Sequence, residues 1–158
     1  MKFYKITASG LGTGYSPVAP GTAGAVLGII LLWIFNFALQ RLNIGQPIIL
    51  AFNFGAVILV MLIGVKSIKE VHKIWKHDAG KIVIDEIVGV WIAAFAIPFE
   101  WEYYLSALIL FRFFDIAKPL YIKKFDNMKT NWSVMLDDVL AGIYSLVVLQ
   151  LIIYFKVF

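Results

Sequence analysis

Residues 82–91 read IVIDEIVGVW, and this stretch sets the main constraint on the fold. Apart from the adjacent carboxylates of Asp85 and Glu86 it is apolar, and the apolar character continues to Phe99. Ionisable groups inside a membrane-spanning helix are costly, by roughly 2.5 to 3.5 kcal/mol each at the helix centre on insertion scales. The two acids therefore need compensation, and a bound cation is the first candidate.

The composition of the whole chain is typical of an integral membrane protein. Of its 158 residues, 61% are hydrophobic and 15% are charged, whereas a soluble domain has about 45–50% apolar and about 25% charged residues. The length predicts a single domain over residues 1–158. Because cysteine is absent, thiolate metal sites and cysteine-based phosphoryl chemistry are excluded. The net charge of +4 is interpreted as lysines facing anionic lipid, so nucleic acid is not expected as a partner.

Hydrophobicity predicts an all-α fold, a polytopic integral membrane bundle of about five hydrophobic helices. A polar segment, residues 66–81, separates the second and third apolar runs, and its apolar residues recur at helical spacing. It is predicted to form a short amphipathic helix at the membrane interface. The five predicted spans are residues 23–40, 47–65, 82–99, 103–117 and 139–155.

Basic residues are distributed unevenly between the loops that join these spans. Lysine is concentrated at the N-terminus and in residues 66–81 and 118–129. The loops on the opposite side carry Arg41 and the two acids Glu100 and Glu102. The positive-inside rule therefore predicts a cytoplasmic N-terminus and an external C-terminus.

With this orientation, five of the ten acids meet at the cytoplasmic interface. Five carboxylates in a partly desolvated site would repel one another, and divalent cations relieve that repulsion. A ligand set made only of oxygen favours Mg²⁺ or Mn²⁺ over Zn²⁺. For Asp137 and Asp138 an alternative stays open, a favourable charge near a helix N-terminus. The five acids are Asp85, Glu86, Asp115, Asp137 and Asp138.

Residues near these acids supply further candidates. Arg112 and Lys118 share one predicted helix face with Asp115, because the three charges are spaced at three and six residues. Gly89 lies one turn after Asp85 on the same face and is expected to leave room for a ligand.

The glycine-rich stretch GLGTGYSPVAPGTAG, residues 10–24, is predicted to be a shaped loop before the first span. Thr22 is expected to cap a helix that begins at Ala23. Free amides at such a helix start suit a phosphate, although an entry turn with no ligand fits the local sequence equally well. Tyr15 breaks the GxGxxG fingerprint, so nucleotide binding is not favoured.

Four ordered blocks resemble the phosphatidylglycerophosphatase A family, and the resemblance covers essentially the full chain. The blocks are SPVAPGTAGA at residues 16–25, IVIDEIVG at 82–89, FRFFDIAKP at 111–119 and VMLDDVLAG at 134–142. The resemblance implies magnesium-dependent hydrolysis of phosphatidylglycerol phosphate to phosphatidylglycerol and inorganic phosphate. It also implies a multi-pass protein of the bacterial inner (cytoplasmic) membrane whose active site faces the cytoplasm.

The resulting hypothesis is metal-assisted hydrolysis of a phosphate monoester, by direct attack of water or through an aspartyl phosphate. The candidate metal ligands are Asp85, Glu86, Asp115, Asp137 and Asp138. The candidate catalytic residues are Asp85, Glu86, Asp115, Lys118 and Asp138. The candidate substrate-binding residues are Gly21, Thr22, Gly24, Arg112 and Lys118.

Two other functional classes are weighed against this hypothesis. A CDP-alcohol phosphatidyltransferase also uses acids at a cytoplasmic interface, but its DGxxAR...GxxxDxxxD pattern is not present in this sequence. A small cation transporter or channel would use the acids as an ion path. The predicted gathering of the acids at one membrane face disfavours such a path.

Overall fold

The structure is a computed structural model that describes residues 1–75, 80–128 and 130–156. Within these ranges the chain is helical and contains no strand, which confirms the predicted all-α fold. A short 3-10 helix, Thr13–Tyr15, follows the first helix. The α-helices are α1 (Lys2–Ala8), α2 (Pro20–Arg41), α3 (Gln46–Val71), α4 (Ile84–Ala93), α5 (Trp101–Ala117), α6 (Ile122–Asp126) and α7 (Ser133–Tyr154).

Three of the described helices are long and apolar enough to cross a bilayer, which supports the prediction of a membrane-embedded bundle. They are α2, α3 and α7, with 22, 26 and 22 residues. Helix α2 begins at Pro20, three residues earlier than predicted, and Ala19 takes the N-cap position expected for Thr22. A proline in the first turn is favourable because its missing N–H would have no partner inside the helix.

Helix α4 differs most from its prediction. Its ten residues span about 15 Å, half of the roughly 30 Å hydrocarbon core, so the predicted span 82–99 is wrong as a continuous helix. It contacts α2, α3, α5 and α7, and Val88, Val90 and Ala93 are fully buried. An apolar sequence on all sides of a helix is also typical of burial inside a protein. The apolar character of the residues in α4 is therefore explained by the neighbouring helices that surround this helix.

After α4 the chain continues without helix to Trp101. Ala96 adopts a left-handed conformation with φ of 56°, and the side-chain amide of Gln150 donates a hydrogen bond of 3.1 Å to its carbonyl oxygen. Pro98 follows two residues later and has no backbone N–H to continue a helix. This segment carries the chain from the middle of the bundle to the start of α5.

The polar segment before α4 also differs from its prediction. Helix α3 continues to Val71 without a break, and both Ile68 and Val71 are fully buried. Residues 66–71 therefore extend a long helix and do not form a separate interfacial helix. The remainder of the predicted helix includes residues 76–79, which lie outside the described part of the chain.

Helix α1 was not predicted from the sequence, and it packs against α3. The backbone N–H of Val83 donates a hydrogen bond of 2.9 Å to the carbonyl oxygen of Ala8. A Cβ atom at Gly14 would overlap the carbonyl oxygen of Lys81. The N-terminal segment is therefore held directly against the residues that lead into α4.

Helices α4 and α7 come into close backbone contact at two glycines. A Cβ atom on Gly142 would overlap the carbonyl oxygen of Gly89 and would lie 3.0 Å from the Cβ atom of Ile92. A Cβ atom on Gly89 would lie 2.7 Å from the carbonyl oxygen of Asp138 and would overlap the ring of Phe111. Small residues at a helix interface permit such backbone contact, and here only glycine fits.

We expect Gly142→Ala to destabilise the protein by about 1–3 kcal/mol, because the added methyl group overpacks the contact between α4 and α7. Gly55→Ala is the matched control, since no atom lies within 4 Å of a Cβ at that helical position. The control should be neutral or stabilising by up to about 1 kcal/mol. Thermal unfolding of both purified variants in detergent measures the difference. A Gly142→Ala protein that melts with or above the wild type would contradict the close approach.

Candidate active site

A cavity of about 580 Å³ opens at the end of the bundle where α2, α4 and α7 begin and where α5 ends. The structure brings all five candidate metal ligands to this cavity, together with both candidate basic residues. It adds one acid that the sequence did not indicate, Asp126 from α6. The charged residues that line the cavity are Asp85, Glu86, Arg112, Asp115, Lys118, Asp126, Asp137 and Asp138.

Three of these acids form a group, here called the acidic cluster, made of Asp85, Glu86 and Asp138. One carboxylate oxygen from each lies within 4.8 Å of the other two. Asp85 and Asp138 are buried, with 6% and 4% of their surface exposed, and Glu86 is partly buried. Three carboxylates at such distances repel strongly when they are all ionised away from water.

The contact between the two helices determines the spacing of the acidic cluster. Asp85 precedes Gly89 by four residues, and Asp138 precedes Gly142 by four residues. Residues four apart lie on the same helix face, one turn from each other. The two buried carboxylates therefore lie one turn from the glycine contact between α4 and α7. Gly89 was expected to leave room for a ligand, but α7 and the ring of Phe111 occupy that space.

Helix α7 begins earlier than the predicted span, which places Asp137 and Asp138 in its second turn. Thr130 and Ser133 exchange hydrogen bonds of 2.9 Å, each backbone N–H donating to the hydroxyl oxygen of the other residue. This arrangement starts the helix at Ser133, and its first turn holds no acid. Because the helix dipole acts mainly within the first turn, it gives little support to the alternative role of these aspartates.

The two basic residues of the cavity are paired with acids outside the acidic cluster. Arg112 donates a hydrogen bond of 2.5 Å to Asp115. Lys118 donates hydrogen bonds of 2.5 Å to Asp126 and 2.8 Å to Asp137. Among the described residues, no salt bridge joins the acidic cluster to a basic side chain.

Lys118 has a fixed place and a fixed charge. Burial by itself would lower the pKa of its ammonium group, but hydrogen bonds and charge attraction from Asp126 and Asp137 outweigh burial and raise the pKa above its usual value. Lys118 is therefore a permanent cation near neutral pH. Its backbone is left-handed, with φ of 43°, and ends α5 immediately before Pro119.

The start of α2 forms another wall of the cavity through Gly21. A Cβ atom there would overlap a carboxylate oxygen of Glu86 and would lie 3.2 Å from a guanidinium nitrogen of Arg112. The two neighbouring candidates lie differently. Gly24 is buried against Val83, and Thr22 is not among the residues that line the cavity.

Asp126 was missed because it reaches the cavity through α6, a five-residue helix inside the predicted loop. From the sequence, acids were grouped by their nearness to the ends of the predicted membrane spans. A short helix inside a loop does not adjoin a span end, so its acids were not included. Lys123 and Lys124 in the same loop were interpreted only as evidence that the loop is cytoplasmic. Its buried residue Ile122 is the one local sign of a folded element.

The acidic cluster fits a divalent cation. Its donor atoms are all carboxylate oxygens, which hard cations prefer. One oxygen of Glu86 is buried and has no hydrogen-bond partner among the described residues. A buried carboxylate without a basic partner is costly, and a bound cation supplies the missing charge. The cluster can therefore hold a metal ion.

Comparison with known proteins agrees with this geometry. The profile of the phosphatidylglycerophosphatase A family matches residues 6–153. A Haemophilus influenzae protein named phosphatidylglycerophosphatase A is 39% identical over 155 residues, covering 94% of this chain and 88% of its own length. The Escherichia coli protein of that name is 31% identical over 153 residues, with coverage of 94% and 83%.

A third relative carries a different name. A Bacteroides thetaiotaomicron protein provisionally named phosphatidylinositol-3-phosphatase is 40% identical over 144 residues, covering 89% of this chain and 87% of its own length. No solved structure matches the chain. The family match covers nearly the whole sequence and includes every acid of the cavity. This chain is therefore a phosphatase and belongs to the phosphatidylglycerophosphatase A family.

Proposed function

We propose that the protein hydrolyses phosphatidylglycerol phosphate to phosphatidylglycerol and inorganic phosphate, with Mg²⁺ or Mn²⁺ held by the acidic cluster. The observation that carries this proposal is the cluster of three carboxylates that lack basic partners, in a cavity that also holds Arg112 and Lys118. The substrate is taken from the names of the two phosphatidylglycerophosphatase relatives.

Asp85, Glu86 and Asp138 would hold the metal ion. Asp115 and Asp137 are already paired with Arg112 and Lys118, so they are assigned to holding these two cations. A bound divalent cation supplies Lewis acidity, which polarises a phosphoryl oxygen and lowers the pKa of a bound water. Magnesium fits better than zinc because the donor set contains neither nitrogen nor sulfur.

The residues of the chain itself bind and orient the phosphate. Arg112 and Lys118 supply two positive charges at the cavity wall. Helix α2 begins at Pro20 without a side-chain cap, so the amide groups of its first turn, from Gly21 onwards, can donate to a phosphate oxygen. The bond between phosphorus and the terminal glycerol oxygen breaks, an oxygen from water bonds to phosphorus, and a proton passes to the leaving oxygen. Phosphoryl transfer of this kind depends mainly on positioning and charge.

An aspartyl phosphate remains the alternative route. It would require a carboxylate of the cavity to attack phosphorus before water does. Rapid quenching with substrate labelled in the terminal phosphate distinguishes the two routes. Labelled protein supports the covalent route, and its absence during turnover supports direct attack by water.

We further propose that the cavity faces the cytoplasm from the inner membrane. Described lysines concentrate at the cavity end of the bundle, in α1, at the end of α3 and around α6. The opposite end carries Arg41, Lys156, Glu100 and Glu102. The positive-inside rule places the lysine-rich end in the cytoplasm. Substituted-cysteine labelling at Lys123 and Glu102 in intact cells tests this orientation, since the chain has no native cysteine.

A second substrate class deserves a direct comparison because of the 40% identical relative provisionally named phosphatidylinositol-3-phosphatase. Phosphatidylinositol 3-phosphate carries a phosphate monoester on a larger head group. We expect purified protein with Mg²⁺ to release phosphate from phosphatidylglycerol phosphate with the higher kcat/KM. Faster release from phosphatidylinositol 3-phosphate would replace the proposed substrate and leave the chemistry unchanged.

We expect Asp85→Asn to reduce magnesium-dependent phosphate release by at least about 100-fold while the protein stays folded, because the change removes a charge and a metal ligand. Glu102→Gln is the matched control, an exposed acid at the opposite end of the bundle, and should retain wild-type activity. Malachite-green detection of phosphate measures both. Substantial activity in Asp85→Asn would contradict the assignment.

Metal binding has its own prediction, independent of turnover. A ligand present at about 100 times its Kd stabilises the folded state by about 2.7 kcal/mol, so Mg²⁺ should raise the melting temperature of the detergent-solubilised wild type. The increase should disappear in Asp138→Asn and persist in Glu102→Gln. An equal increase in all three proteins would show that Mg²⁺ acts elsewhere than at the acidic cluster.

A further inference from the structure

Two apolar grooves run along the outside of the bundle. The first, called the α2/α5 groove, has a volume of about 230 Å³. The second, called the α2/α3 groove, has a volume of about 280 Å³. The α2/α5 groove is lined by Ile29, Ile30, Trp33, Trp101, Leu105 and Leu108, among others. The α2/α3 groove is lined by Leu31, Val60, Ile63, Ile84, Ile87 and Trp91, among others.

The α2/α5 groove leads towards the cavity with the acidic cluster. Leu105, Leu108 and Arg112 follow one another on α5 at intervals of three and four residues, so they lie along one helix face. Leu108 lines the groove and Arg112 lines the cavity. The two are one helical turn apart, about 6 Å along the axis. The apolar groove therefore ends close to a cation of the proposed site.

The length of this path matches one lipid chain. Trp101 and Arg112 are eleven positions apart on the continuous helix α5, which corresponds to about 16.5 Å along the axis. One leaflet of a bilayer contributes half of the roughly 30 Å hydrocarbon core, or about 15 Å. An acyl chain of a lipid whose phosphate lies near Arg112 would thus reach the far end of the groove.

The α2/α3 groove is separated from the cavity by α4. Its lining residues Ile84, Ile87 and Trp91 lie on one face of that helix. Asp85 and Glu86 lie on the opposite face, because each residue turns the helix by about 100°. A lipid chain in this second groove has no direct path to the acidic cluster, so the groove provides an internal control.

We propose that the α2/α5 groove binds an acyl chain of the phospholipid substrate and that the lipid enters the site laterally between these two helices. This inference rests on the proposed function, since it takes the phosphate of that substrate to lie in the cavity. The occupant is an acyl chain because the groove is apolar, borders α2, which is long and apolar enough to cross a bilayer, and ends one helical turn from Arg112. Chain binding holds the phosphate monoester at the membrane surface beside the acidic cluster.

Ile30→Trp and Leu31→Trp form a matched pair for testing this proposal. They are adjacent residues of α2 that line different grooves, and they are 48% and 36% exposed, so a larger side chain is tolerated at both. Activity is measured on long-chain phosphatidylglycerol phosphate and on its deacylated, water-soluble counterpart, which carries the same phosphate monoester. The measured quantity is the kcat/KM for the long-chain lipid divided by the kcat/KM for the deacylated substrate. We expect this ratio to fall on the order of tenfold in Ile30→Trp, because contacts with the acyl chain are lost.

The ratio should stay at the wild-type value in Leu31→Trp. An unchanged ratio in Ile30→Trp, or an equal fall in both variants, would overturn the proposal. Photolabelling provides a readout that does not need turnover. Phosphatidylglycerol phosphate with a diazirine in its acyl chain should label peptides of α2 and α5 that border the groove.

Labelling shared evenly between the two grooves would identify ordinary bilayer lipid and also overturn the proposal. Wild-type protein that hydrolyses neither substrate would contradict the proposed function instead, and the labelling pattern would still decide whether the groove takes a chain. The two ideas therefore fail in distinguishable ways.

Discussion

The site depends on one contact, the approach of α4 and α7 at Gly89 and Gly142. No side chain fits between the two backbones there. Because each glycine follows a buried aspartate by one helical turn, the same contact fixes the separation of Asp85 and Asp138. The acidic cluster is therefore positioned by helix packing. A site built on rigid helices keeps its geometry better than one built on loops, which suits chemistry that depends on positioning.

The charges of the cavity fall into two groups that differ in pairing. Arg112 and Lys118 are paired with Asp115, Asp126 and Asp137. The acidic cluster has no basic partner among the described residues. A phosphate group that reaches the cavity has to share the two cations with acids that already hold them. The paired group thus sets how strongly an anion is attracted, and the acidic cluster sets where a cation binds.

Much of the site was predictable from the sequence because its acids stand next to apolar runs. Lysine-rich and lysine-poor loops alternate along the chain, and this alternation placed Asp85, Asp115 and Asp138 at the same end of the helix bundle. The structure puts all three around one cavity. The nature of α4 was not predictable, since hydrophobicity alone does not distinguish a helix surrounded by lipid from one surrounded by protein. Asp126 was hidden for a different reason, because α6 is too short to produce a periodic pattern.

The short α4 also has a consequence for the polarity of the protein's interior. The lipid around the bundle presents a hydrocarbon layer of about 30 Å, but α4 covers about 15 Å of it before the chain leaves the helix at Ala94. Beyond that point the interior contains the amides of Asn36 and Asn53, in a second cavity of about 330 Å³. Beyond the end of α4 the interior of the protein is therefore partly polar, unlike the hydrocarbon of a bilayer at the same depth.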